Sequence, residues 1–173
     1  MRLTLETSRL ILRPFCEKDA EDMFRGWTSD PEVSKYMIWN THQSMDETKA
    51  LLSLWAAEYE KPERLNFAIM LKAENKLIGG IDVVGYIDAT PVIGYNLARP
   101  YWNKGYMTEA CRCVLEYLFS KGYGEVKIDA VAENTGSNRV IEKCGGELIC
   151  TEEEFFPLKN KSFSINRYIV KAK

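Results

Sequence analysis

The chain has 173 residues, 46% of them hydrophobic and 28% charged, with a formal net charge of −2. That length suits one α/β domain spanning residues 1–173, with a core large enough to need no disulfide or metal staples. The near-neutral balance gives nucleic acid no basic field to follow and a membrane surface no polybasic patch to hold.

Met1 to Phe15 carries charges at Arg2, Glu6, Arg9 and Arg13, which interrupt any signal-peptide core. No run approaches the roughly 18 apolar residues of a membrane helix, so a cytoplasmic location is expected. Five cysteines (Cys16, Cys111, Cys113, Cys144 and Cys150) form no regular framework, which fits a reducing compartment. Arg9 to Phe15 reads as a first strand, and Asp19 to Arg25 as a helix whose Ala20, Met23, Phe24 and Trp27 share a face. Asp30-Pro31-Glu32 is an N-cap with proline at the first helical position. Ser44-x-x-Glu47 is a capping box that opens a helix through Leu51, Leu52, Trp55 and Tyr59.

Leu65, Phe67, Ile69 and Leu71 alternate as a second strand, and Leu77 to Tyr86 follows as a third. Gly79-Gly80 within the third marks a bulge or a close approach. The fourth strand, Val92 to Leu97, ends at Pro100. Asn103-Lys104-Gly105 then links it to a helix whose Met107, Ala110, Cys111, Val114 and Leu118 recur every three or four residues. A helix start carries about four N–H groups without partners and partial positive charge. With glycine allowing close approach and Lys104 adding charge, this turn suits a phosphate or pyrophosphate. Neither the G-x-x-x-x-G-K-[ST] loop nor the dinucleotide G-x-G-x-x-G is present.

Val126 to Val131 alternates as a fifth strand and leads to Asn134, a good N-cap, with Val140, Ile141 and Cys144 as an apolar stripe and Gly145 as a stop. A right-handed crossover makes the fourth and fifth strands parallel and sets both helix starts at one sheet edge. Gly146 to Phe156 and Ser162 to Val170 read as a closing hairpin.

These stretches together resemble the GCN5-related N-acetyltransferases, in particular the branch that includes the ribosomal-protein N-terminal acetyltransferases. That family's acyl-coenzyme A signature, Q/R-x-x-G-x-G/A, falls on Trp102 to Met107 within W-N-K-G-Y-M-T-E-A. Its second motif, N-x-x-S followed by E-K-x-G-F, falls on Asn134, Ser137, Glu142, Lys143 and Gly145, and the opening E-T-S-R-L-I-L-R-P-F matches the branch's first strand. Trp102 replaces the polar residue of the signature, Met107 its second small residue, Asn103 a frequent glycine, and Gly146 the aromatic. Val92 stands where the fourth strand usually has a glutamate.

The resemblance implies an α/β fold with a mixed six- to seven-stranded sheet flanked by helices, the fourth strand splayed from the fifth. It implies acetyl-CoA as co-substrate, no metal, and an amine acceptor, either a protein N-terminus or a small molecule; the chain would act as a monomer or homodimer. The diphosphate falls to the turn Asn103, Lys104, Gly105, Tyr106, Met107 and Thr108, the pantetheine to Asn96, Leu97 and Ala98, and a further contact to Asn134. The Leu97 N–H is the candidate oxyanion donor. Ser137 is the group that protonates or hydrogen-bonds the departing thiolate, and Glu133, ahead of Asp82, is the candidate base. The competing class is a non-catalytic acyl-CoA-binding protein with a decayed acceptor site. Turnover against binding alone separates the two.

Overall fold

The computed structural model describes residues 3–61 and 64–173; Met1 and Arg2 of the charged opening stretch lie outside it. Eight strands form one mixed sheet: β1 (Leu5–Glu6), β2 (Leu10–Pro14), β3 (Asn66–Leu71), β4 (Lys76–Ile87), β5 (Thr90–Leu97), β6 (Glu125–Val131), β7 (Glu147–Phe156) and β8 (Lys161–Lys171). Their order across the sheet is β1-β2-β3-β4-β5-β6-β8-β7. The sequence reading falls one short because Leu5 and Glu6 pair with Leu12 and Ile11 through a tight bend at Thr7–Arg9. Every neighbouring pair is antiparallel except β5 and β6.

Helices cover both faces. On one lie α1 (Ala20–Met23), α2 (Pro31–Ser34) and α3 (Met45–Glu58). Phe15 stacks on Trp55 of α3 at 4.9 Å between ring centroids, and its ring lies where a side chain at Gly80 would go. The Tyr59 hydroxyl donates to the Asn66 carbonyl (2.7 Å) and accepts the Phe15 N–H (2.9 Å), tying the end of α3 to the sheet. The helix expected over Asp19–Arg25 is shorter as an α-helix: after Met23 the chain widens into a π segment, Phe24–Thr28, with Ser29 N–H bonded to Phe24 O at 3.2 Å. The widening sets Gly26 against Ala98 at the end of β5, where a Cβ would sit 3.7 Å from the alanine's.

On the other face lie α4 (Tyr106–Ser120) and α5 (Thr135–Lys143). Met107, Ala110, Cys111, Val114, Leu115 and Leu118 of α4 are all buried. Each of the larger ones contributes about 1.5–3 kcal/mol by leaving water, which fixes the helix axis against the sheet. Gly79 allows the close approach expected of it: a Cβ there would run into the Asn96 carbonyl. The β3–β4 register also shifts beside it. Among the described residues, no helix is long and apolar enough to cross a membrane.

Candidate active site

The β5–β6 ladder consists of Val92 opposite Lys127 and Ile93 opposite Ile128, and then the strands part. β6 continues to Val131 paired with β8, while β5 continues to Leu97 paired with β4. This is the expected splay. The Ala98 N–H donates to the Ile78 carbonyl at 2.8 Å, which fixes the phase of the β4–β5 ladder. Backbone groups of an antiparallel strand alternate in direction, so Asn96 and Ala98 turn theirs toward β4, and Tyr95 and Leu97 turn theirs into the fork. Of the three residues offered by the sequence for a peptide-like arm, Leu97 turns its backbone into the fork, as does Tyr95, and Asn96 and Ala98 turn theirs toward β4. The Leu97 carbonyl accepts the Trp102 indole N–H at 2.7 Å, so the Leu97 N–H and both Tyr95 backbone groups are what β5 presents there.

At one end of the fork stands the start of α4. Gly105 is its N-cap at φ 79°, and Asn103 precedes it at φ 60°, the left-handed region that glycine and asparagine tolerate best. No side chain caps this helix. Asn103, Lys104 and Gly105 are exposed, Tyr106 and Thr108 half-buried, and Met107 points into the core. Arg9 clamps the loop: Nη1 donates to the Lys104 carbonyl at 3.1 Å, and the guanidinium lies 4.5 Å from the Tyr106 ring centroid.

Arg9 is held in turn by Glu109. One carboxylate oxygen accepts from Thr7 Oγ1 (2.6 Å), Ser8 Oγ (3.1 Å) and the Arg9 N–H (3.0 Å), and the other from Arg9 Nε (2.6 Å). Burial alone would raise the Glu109 pKa, but the hydrogen bonds from Thr7, Arg9 and Ser8 outweigh it and pull it down to about 2. A cleft of about 550 Å³ beside the loop is lined by Arg9, Gly105, Thr108, Arg112 and Lys143, among others.

The start of α5 stands across the fork. Asn134 caps it, its Oδ1 accepting the Ser137 N–H at 3.2 Å, so the amide group still carries its own donors. The Tyr95 hydroxyl comes from β5 to within 3.0 Å of Ser137 Oγ and 3.2 Å of the Ser137 carbonyl. Burial pushes the Tyr95 phenol well above its ordinary pKa. Nothing local in the sequence marks Tyr95; only the β5 register aims it at α5.

The two carboxylates weighed as bases differ in setting. Glu133 is exposed, and its charge helps raise the Lys35 pKa, whose main cause is Tyr36. Asp82 is gripped through both oxygens by Arg64, which also holds Glu58. Burial raises the Asp82 pKa and Arg64 opposes that rise, leaving it above the ordinary value. With both oxygens engaged, Asp82 serves as an anchor for Arg64.

On the α1–α3 face of the fork, a group the sequence reading missed collects around Arg167. It bonds Asp129 (2.6 Å) and Glu154 (2.7 Å), with Glu152 at 3.5 Å, so three carboxylates surround one guanidinium. Asp129 shares its face of β6 with Val131, which packs in a cluster with Phe156, Phe163 and Ile165 beneath Tyr36. Oδ1 of Asn96, on the same face of the sheet, is buried without a hydrogen-bond partner. Among the described residues, no three His, Cys, Asp or Glu side chains converge to hold a metal.

Residues 9–147 match the family model described as an acetyltransferase (GNAT) domain, and the chain belongs to that family. Among curated proteins, it is 31% identical over 145 residues to the uncharacterized N-acetyltransferase YoaA of Bacillus subtilis, covering 82% of this chain and 81% of that one. Among solved structures, a GNAT-family acetyltransferase from Bacillus anthracis superposes with a TM-score of 0.85 at 28% identity, over 98% of both chains. RimL, a ribosomal L7/L12 alpha-N-protein acetyltransferase, shares the fold at a TM-score of 0.86 and 16% identity, over 99% of this chain and 96% of that one. The protein is therefore a GNAT acetyltransferase.

Proposed function

We propose that the chain transfers the acetyl group of acetyl-CoA directly to a primary amine, a protein N-terminus or a small molecule. The observation that carries this reading is the fork. An uncapped helix start at Gly105, a strand edge that offers the Tyr95 backbone groups and the Leu97 N–H, and the Ser137 hydroxyl all border the gap that opens between β5 and β6. Each matches one part of an acyl-CoA. The Asn103–Thr108 amides suit the diphosphate, and the Leu97 and Tyr95 edge suits the amides of the pantetheine arm. Acetyl-CoA, when bound, supplies an activated thioester carbonyl.

The chain's own groups then have defined tasks. The Leu97 N–H donates to the carbonyl oxygen as it gains charge, already oriented by the β4 ladder. Ser137 gives its hydroxyl proton to a hydrogen bond with the departing sulfur. The Asn134 amide donates to the cofactor arm while its oxygen holds the helix. Glu133 receives the ammonium proton directly or through water.

The far face supports a cationic acceptor. Asp129, Glu152 and Glu154 outnumber Arg167 there, and the buried Asn96 Oδ1 is an acceptor that an N–H of the amine can satisfy. The test is CoA release from acetyl-CoA over a panel of primary amines and N-terminal peptides, with calorimetry of acetyl-CoA alongside. Turnover that is lost in Ser137→Ala and Asn134→Ala is the expected result. Binding with no turnover across the panel, or no binding at millimolar acetyl-CoA, would overturn it.

A further inference from the structure

We infer that Tyr95 is a positioning residue that sets the direction of the Ser137 hydroxyl, an inference that rests on the role given to Ser137 above. The contact spans the fork from the last third of β5 to the first turn of α5, joining partners 42 positions apart in the chain. The phenol carries one proton and has two acceptors within reach, Ser137 Oγ at 3.0 Å and the Ser137 carbonyl at 3.2 Å.

Those two choices have opposite consequences. When the phenol donates to the carbonyl, the short O–O contact is filled by the serine proton, which turns back toward Tyr95 and away from the opening. When the phenol donates to Oγ, the serine proton is released and can face the departing sulfur. The Ser137 N–H is already held by Asn134 Oδ1, so the hydroxyl is the donor this residue has left. One rotation of a buried hydroxyl thus switches Ser137 between a self-satisfied and a donating state.

Tyr95 takes no part in the proton balance. Burial keeps its phenol neutral across the working pH range, so it orients a proton without giving one up. As the thioester C–S bond breaks, its electron pair stays on sulfur, which accepts a hydrogen bond from Ser137 and later takes a proton from water. The amine nitrogen bonds the acyl carbon and releases its proton through Glu133 to water.

The experiment is a double-mutant cycle of Tyr95→Phe and Ser137→Ala, with acetyl-CoA and hydroxylamine, a nucleophile small enough to need no fitted acceptor pocket. Tyr95→Phe is expected to lower kcat on the order of tenfold with the KM for acetyl-CoA held within about twofold. In the Ser137→Ala background the same change is expected to cost nothing further, because Tyr95 acts through that hydroxyl. Multiplying losses, or a Tyr95→Phe enzyme at the wild-type rate, overturn the inference while a slow Ser137→Ala enzyme leaves the role of Ser137 standing. A Ser137→Ala enzyme at full rate overturns both. A second arm needs neither turnover nor a folded Tyr95 variant: the buried Tyr95 hydroxyl proton, followed by NMR, is expected to shift in Ser137→Ala. A resonance indifferent to that change also overturns the inference.

Discussion

Two helices leave this sheet at the same edge, α4 after β5 and α5 after β6, and their first turns are finished in different ways. At α5 the chain satisfies its own donors: Asn134 Oδ1 takes the Ser137 N–H, and the Asn134 carbonyl takes the Asn138 N–H. At α4 a glycine in the left-handed region stands where a capping side chain would be, and no side chain bonds the exposed amides. The nearby carboxylate of Glu109 is engaged by Thr7, Ser8 and Arg9. The difference separates a turn that holds a side chain in place from a turn whose amides are left open. On the function proposed above, the first serves stability and the second receives the anion.

The comparison breaks most decisively at Gly105. A valine there must adopt φ 79°, and its Cβ would meet Arg9 Nη2 at 3.4 Å, so the loop gives up either its shape or its clamp. Left-handed backbone costs an L-residue about 1–2 kcal/mol, so acetyl-CoA affinity in calorimetry is expected to fall by tenfold or more. Gly145→Ala is the matched control. It places a side chain at φ 88° with nothing within 4 Å, at the end of α5. It is expected to lower the melting temperature and leave the affinity unchanged. Equal affinity losses in the two variants would show that backbone strain alone, wherever placed, explains the effect.

Asn134 sharpens the other side. Asn134→Ala removes the cap and is expected to cost about 1 kcal/mol of stability, a drop of about 2–4 °C in Tm, together with activity. Asn134→Asp keeps an equally good cap but removes the amide donors. It should melt near wild type and still lose acetyl-CoA affinity. If Asp restores binding as well, the residue does nothing more than hold its helix.

How much of this was legible in the sequence follows the range of each interaction. Gly105, Asn134 and the Asp30-Pro31 cap are set by neighbours within four residues, and local patterns found them. Asn103 departs from the family's glycine yet occupies φ 60°, and the reason for the allowed replacement is visible only in the backbone. Tyr95 against Ser137, and Arg9 against Glu109 and Lys104, join residues 42 to 100 positions apart, so no periodicity could announce them. The orientation of Asn96 and Ala98 toward β4 depends on a register that shifts beside Gly79 and again near Val84. The far-face group was missed because Asp129, Glu152 and Glu154 look like ordinary solvated charges until β8 brings Arg167 among them.

The clamp on the α4 loop predicts a pH effect of intermediate size. The Glu109 pKa is lowered in the folded chain from an ordinary 4.5 to about 2. A depressed carboxylate stabilises the fold fully above its unfolded pKa, and the contribution drains away as pH falls through the folded one. Thermal unfolding of the wild type should therefore weaken between about pH 4.5 and 2, and a Glu109→Gln variant, less stable at neutral pH, should lose less over the same interval. Parallel curves for the two proteins would remove Glu109 from the account of how the loop is held.

The smallest effect is expected at Trp102, which occupies the family's polar position and sends its indole N–H back to the Leu97 carbonyl at 2.7 Å. That bond occupies an acceptor that would otherwise face the fork beside the Leu97 N–H, so the tryptophan both shortens the open edge and steadies the donor next to it. Trp102→Phe keeps the ring but frees the carbonyl, and a net hydrogen bond is worth about 0.5–1.5 kcal/mol. If steadying the donor matters more, kcat falls a few-fold with KM for acetyl-CoA unchanged. If the carbonyl instead becomes a partner for a pantetheine amide, KM drops while kcat holds, and the open region of the comparison is wider in this family than Trp102 allows it to be here. The sign of the KM change decides between them, because only the second alternative adds a contact to the bound ligand.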